Sequence, residues 1–280
     1  MTLDIRHLAF AYDDERVLDG INLTAESGEL LGLLGPNGSG KSTLLECCNR
    51  LLEPDSGTVS LGGTSVGDLV ADERARRIGY VPQAESRAFP ASVFETILQG
   101  RRPHGGWTPS DSDRAAVEAT IDRLDLDGLA TRNVGDLSGG QRQKVCLGRA
   151  LVGDPSVLLL DEPTSALDLK HRLDVMDRIL GEVRDGVAGL IAIHDLNLAA
   201  RYCDRVALLS DGRVYAVGEP DVLTPETVRA VYDVEASVRE HGDRRLVVPE
   251  SPVDREPGGS PALDRPADTS VAGEPVATDD

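Results

Sequence analysis

Nine residues constrain this chain more than any others: Gly35-Pro36-Asn37-Gly38-Ser39-Gly40-Lys41-Ser42-Thr43. They follow directly on the apolar run 29–34, and helical spacing over 42–52 comes after them. Strand, glycine-rich loop and helix in that order make a cradle for one anion. The glycines let the backbone curl until several N–H groups face a common point. The helix N-terminus adds positive partial charge. The pattern G-x-x-x-x-G-K-[ST] is that of a phosphate-binding loop. Lys41 is then expected at the β- and γ-phosphates, Ser42 on Mg²⁺, and the Thr43 hydroxyl at an α-phosphate oxygen. This loop defines a nucleoside triphosphatase. It does not choose among a GTPase, a helicase, a kinase and a transport motor.

A second motif narrows the chemistry. Val157-Leu-Leu-Leu runs straight into Asp161-Glu162-Pro163. A buried strand ending in carboxylates delivers them to the C-terminal edge of an α/β sheet, where ligands bind. Asp161 is expected to hold Mg²⁺ through water. Glu162 is expected beside the attacking water, as general base or as its orienter.

The rest of the chain alternates in the same sense. Short strands are expected at 3–10 and 17–24 around the turn at 11–15, then at 57–61, 77–81, 157–160, 190–193, 206–209 and 213–217. Helices are expected at 140–152, 170–183, 197–202 and 225–232. Such alternation predicts a mainly parallel sheet covered on both faces. Between about 85 and 136 the texture turns helical, with 93–98 and 114–126 separated by a Gly/Pro-rich link. The 280 residues are enough for one large core with such a sub-lobe. From Pro249 onward there are six prolines, eight acids, two arginines and no aromatic residue. A tail of that composition, 249–280, is expected to be disordered.

Between the two motifs lies Leu137-Ser138-Gly139-Gly140-Gln141. With this the chain resembles the ABC ATPases, whose signature it matches. Lys41, Gln141 and Asp161 follow in the family's order, 100 and then 20 residues apart. The resemblance spans about residues 1–240. It implies a phosphate-loop NTPase cassette: a RecA-like ATP-binding core at 1–84 and 137–248 with an N-terminal antiparallel β part, and a helical subdomain at 85–136. It also implies roles for single positions. Tyr12 matches the aromatic stacked on adenine. Gln83 in YVPQ matches the glutamine that touches Mg²⁺ and the attacking water. Asp168 in SALD matches an aspartate that signals across a dimer. His194 in IAIHD matches the switch histidine at the γ-phosphate. The remaining histidines, His7, His104, His171 and His241, are expected to be surface or packing residues.

In the family, the helix tip formed by Ser138, Gly139, Gly140 and Gln141 closes on nucleotide held by another subunit. One set of motifs per chain therefore implies a homodimer with two ATP sandwiched head to tail. DNA-repair relatives would insert a long coiled coil between phosphate loop and signature, and translation relatives carry two cassettes. Neither feature is here, so a transporter motor on a membrane permease is the expectation. The stretches TSALDLKHRLDVMD, HDLNLAARYCDRVALLSDGRVYAVGEPDVLTPE and GDRRLVVPE are similar to importer motors for iron–siderophore, haem and cobalamin, which receive cargo from a substrate-binding protein. Zinc and manganese importer motors share parts of them.

Charge and cysteine usage set the surroundings. The net charge is −19, with three lysines against 26 arginines. Such a surface argues against nucleic acid, whose phosphates need a basic footprint, and against anionic lipid. Cys47, Cys48, Cys146 and Cys203 have no zinc spacing and are expected to be buried, reduced thiols. No run approaches a membrane span and no signal peptide is seen, so the expected place is the cytoplasmic face of the membrane, reached through the permease. Much acid with almost no lysine fits a high-salt cytoplasm, where screening removes self-repulsion. Melting in low-salt buffer and in molar KCl tests this: the midpoint should rise with salt, and an unchanged melt contradicts it.

Overall fold

The structure, a computed structural model, describes residues 1–83, 91–104, 108–242 and 244–253. Its centre is a sheet of six strands: β3 (Leu30–Leu34), β6 (Ile78–Val81), β7 (Val157–Asp161), β8 (Ala188–Ala192), β9 (Arg205–Ser210) and β10 (Arg213–Gly218). Their order is β10-β9-β3-β8-β7-β6, parallel throughout except for β10 at one edge. Every residue of β3, β7 and β8 is buried. That is the signature of strands covered on both faces.

Period two divides those apolar runs between two cores. Leu30, Leu34, Leu158, Leu160 and Ile191 face one, and Leu31, Leu33, Val157, Leu159 and Leu190 face the other. The second core is closed by α1 (Lys41–Cys48) and by an antiparallel sheet of β1 (Leu3–Tyr12), β2 (Glu15–Ala25), β4 (Ser56–Leu61) and β5 (Thr64–Ser65), in the order β2-β1-β4-β5. The first is closed by α5 (Gly139–Leu151), α6 (Leu169–Arg184), α7 (Leu196–Tyr202) and α8 (Pro225–Tyr232). The helical stretch, α3 (Val93–Leu98) and α4 (Asp111–Arg123), packs on α5 and contributes Val93, Ile97, Val117 and Ile121 to that same core. Among the described residues no helix is long and apolar enough to cross a membrane. All four cysteines are buried free thiols.

Several elements differ from the sequence expectation, each for a local reason. Helix α1 stops at Cys48 rather than at 52, because Asn49 caps it and Arg50 turns left-handed at φ 54°. Helix α4 begins at Asp111 rather than at 114, because Ser110 and Asp113 form a capping box. Helix α2 (Ala71–Arg77) was not expected; it buries no residue, so it leaves no apolar periodicity to read. The stretch GDRRLVVPE falls mostly in one half of a hairpin, β11 (Val234–His241) with β12 (Arg244–Pro252), and β12 runs into the stretch assigned to the tail. Of the tail expected to be disordered, 249–280, residues 249–252 are strand instead, and 254–280 lie outside the described residues.

Besides its core contacts through Ala236 and Val247, the hairpin is tied to α7 by one side chain acting as a piece of strand. Asn197 Oδ1 accepts from Val247 N–H at 2.7 Å, and Asn197 Nδ2 donates to the Val247 carbonyl at 3.1 Å. Val247 is buried, so neither backbone group has water to fall back on. Asn197→Ala should therefore cost about 1–3 kcal/mol in urea unfolding, the penalty for unpaired buried groups. Loss of amide-exchange protection at Val247 ahead of the core strands would locate the effect.

Candidate functional site

The cradle at 35–43 takes its shape from what presses on it. A Cβ on Gly35 would lie 2.3 Å from the Leu209 carbonyl oxygen, and one on Gly40, at φ 96°, would lie 2.7 Å from Leu18 Cδ2. Only glycine allows the loop to sit this tightly between β9 and the antiparallel sheet. No side chain caps α1, so its first N–H groups are left for a ligand. The Ser39 hydroxyl is buried without a partner among the described residues. Lys41 is 5% exposed, and its Nζ donates to the carbonyls of Gly35 (2.7 Å) and Pro36 (2.9 Å). Burial holds its ammonium below the usual lysine range, while Glu162 and Asp161 oppose that shift.

Across the cleft, pairing between β7 and β8 places Asp161 opposite Ala192, and Glu162 N–H donates to the Ala192 carbonyl at 3.0 Å. Ser42 Oγ donates to Asp161 Oδ1 at 3.1 Å. Burial raises the Asp161 carboxyl, the Ser42 hydrogen bond opposes this, and the neighbouring Glu162 adds to it. Burial likewise raises Glu46, with Asp161 adding to it. Glu162 sits just past the strand in a left-handed backbone conformation, φ 48°. Its carboxylate is gripped from both sides: Gln83 Nε2 donates to Oε2 at 2.8 Å, and His194 Nε2 contacts Oε1.

These groups share one cleft of about 580 Å³, lined by Asn37, Gly38, Gly40, Lys41, Ser42, Thr43, Gln83, Glu162 and His194, with Tyr12 at its rim. Tyr12 is 48% exposed and stands edge-on to Phe10, 4.8 Å between ring centres. The residues fit a magnesium ion. Ser42 and Asp161 offer hard oxygens, and the buried carboxylates call for positive charge.

The remaining predicted residues do not line this cleft. Ser138, Gly140, Gln141 and Asp168 stand apart from it, and Gly139 lines a neighbouring cavity that meets the cleft at Gln83 and Glu162. Ser138 caps α5 in a reciprocal box with Gln141, at 3.3 and 3.1 Å. Asp168 caps α6, accepting from His171 N–H at 2.9 Å, and both of its oxygens lie 2.8 Å from His171 Nδ1. Those hydrogen bonds hold the Asp168 carboxyl below its ordinary value. His171 is thus more than a surface residue: its ring also fills the notch over Gly140, where a Cβ would lie 2.4 Å from it. The signal was present in the sequence, since a histidine three residues after an N-cap aspartate has capping-box spacing.

Comparison with known proteins agrees with this geometry. Residues 18–165 match the ABC transporter family. An uncharacterized ABC transporter ATP-binding protein of Methanocaldococcus jannaschii is 41% identical over 89% of this chain and 98% of its own length. The cobalamin import ATP-binding protein of Halobacterium salinarum is 43% identical over 85% of this chain and 60% of its own length. The hemin import ATP-binding protein of Pseudomonas aeruginosa is 42% identical over 86% and 96%. A solved structure described as a metal-chelate type ABC transporter in an inward-facing conformation superposes with TM-score 0.77 at 28% identity, over 89% of this chain and 97% of that one. A dimeric ATP-binding cassette in a post-hydrolysis state with ADP and Pi gives 0.69 at 28%, over 78% and 98%. The chain belongs to the ABC transporter family, as an ATP-binding cassette.

The raised Asp161 carboxyl yields a signed expectation. Folding favours its protonated form, so that contribution is present in acid and lost as pH rises through the folded value. At neutral pH the ionised group weighs against the nucleotide-free fold. Asp161→Asn keeps an acceptor for Ser42 and should raise the melting temperature at neutral pH. The gap from the parent should narrow as pH falls toward the ordinary carboxylate range. The extra stabilisation gained from Mg-ATP should shrink in the same variant.

Proposed function

We propose that the chain is the motor of an importer for an iron–siderophore, haem or cobalamin, working as a homodimer on the cytoplasmic side of a membrane permease. A substrate-binding protein would act only through that permease. The import reading rests on the relatives' names and on the sequence stretches they share with this chain. The dimer reading rests on a single observation: the cleft gathers the cradle, Glu162 and His194 of one copy, while Ser138, Gly140, Gln141 and Asp168 do not line it.

In this reading Tyr12 stacks on the adenine. The amides of the loop from Gly35 to Gly40, with Lys41 and the hydroxyls of Ser39 and Thr43, hold the phosphates. Ser42, Asp161 and Gln83 would hold Mg²⁺, which when bound neutralises phosphate charge. The second copy brings Ser138 and the amides of Gly139 and Gly140 to the γ-phosphate, fixed by Gln141, while Asp168 signals across the interface. Glu162 aligns a water for in-line attack on the γ-phosphorus, and its proton passes toward the carboxylate that Gln83 and His194 hold in place. The bond from γ-phosphorus to the bridging oxygen breaks, giving ADP and phosphate. The link between the two copies goes with it, and the permease returns to its resting state.

Glu162→Gln tests this directly. The variant should bind Mg-ATP, run as a dimer in size exclusion with ATP and as a monomer without it, and turn over about 10²-fold or more slower. Normal turnover removes Glu162 from the chemistry. Failure to dimerise with ATP removes the sandwich.

A further inference from the structure

The first turn of α6 makes contacts that the cleft itself does not use. Asp168 opens that turn and His171 leans on the signature helix. Arg172 reaches the other way. Its Nη1 donates to Asp195 Oδ2 at 3.2 Å and its Nη2 to the Leu167 carbonyl at 3.5 Å. Its Nε is buried with no hydrogen-bond partner among the described residues. Leu167 directly precedes Asp168, and Asp195 directly follows His194. One guanidinium therefore grips the chain neighbour of each.

Asp195 is itself fixed. Its Oδ1 accepts from the N–H groups of Asn197 and Leu198, both at 3.0 Å, and so caps α7. A pull on Asp195 is thus a pull on the peptide that carries His194, whose ring meets Glu162. Stability does not account for the pair. Its side chains are 29% and 41% exposed, a setting in which ion pairs contribute little. A buried, unpartnered Nε counts against the fold. A planar fork that spans two loops is what arginine offers and lysine does not.

We propose that Arg172 is a positioning residue that joins the Asp168 loop to the His194 loop, so that a second copy docking on Asp168 sets His194 against Glu162 for hydrolysis. This rests on the dimeric ATPase reading above.

The test is steady-state ATP hydrolysis by the full chain with Mg-ATP, with melting followed in parallel. Arg172→Gln should lower kcat about tenfold with KM little changed. Arg172→Lys should recover part of kcat. Asp195→Asn should resemble Arg172→Gln, and the double variant should be no worse than the poorer single. Combined with Glu162→Gln, Arg172→Gln should still give the ATP-trapped dimer. Arg178→Gln is the control: Arg178 pairs with Asp125 and Asp174 further along the same helix, and its loss should touch the melt without touching kcat. The inference fails if Arg172→Gln keeps the parent kcat, if its loss lies wholly in KM, or if Arg178→Gln loses as much. Should Asp195→Asn not fold, the two Arg172 variants decide alone. An inactive parent protein would instead overturn the ATPase reading, and this inference with it.

Discussion

Burial of the central parallel strands on both faces governs the rest of the molecule. Strands β3, β7 and β8 carry no exposed residue, and every side chain in them before Asp161 is apolar or glycine, so little along their length can bind or react. Function is pushed to where the strands end. There β3 gives way to the cradle, β7 to Asp161 and Glu162, and β8 to Ile193 and His194. Packing on two sides fixes those ends relative to one another. The cleft is therefore built from short excursions off a rigid frame: Glu162, Gln83 and His194 lie one or two residues past their strands, and the cradle spans the nine residues after β3.

The helix tips that begin α1 and α5 differ in how they are finished. Helix α1 has no side-chain cap, and the amides at its start depend on a ligand. Helix α5 is capped by its own Ser138 and Gln141, and of the two glycines after the cap Gly139 is exposed while Gly140 is buried against His171. Charge is unbalanced in the same sense. Asp161, Glu162 and Glu46 stand near a lysine that burial weakens as a cation. A cleft of this kind is arranged around a charged ligand rather than around itself, and it accepts a cost in its resting form.

Much of this was legible in the sequence, because the chemistry follows strand ends and strand ends follow apolar runs. Lys41, Ser42, Asp161 and Glu162 could be placed from the residues on either side of them. The contacts of Glu162 with Gln83 and His194 could not, since they join segments 79 and 32 residues apart through the sheet order. Helix α2 was illegible because it buries nothing, and strand β11 because only Ala236 in it is buried and its burial shows no period of two. His171, expected only as a surface or packing residue, does pack on Gly140. Its pairing with Asp168 was readable from their spacing, but its contact with Gly140 on another helix was not.

The evenness of β7 has one more consequence. Val157, Leu158, Leu159 and Leu160 are nearly interchangeable in size and polarity, so neither core would object strongly if the strand slid by one residue. In most half-buried strands such a slip exposes apolar side chains and is forbidden by them. Here the veto comes from the strand's far end. Sliding inward would drag a carboxylate among leucines, a cost no repacking repairs. The acids at 161 and 162 thus serve the fold before they serve any nucleotide, as the stop that tells an otherwise featureless strand where to halt.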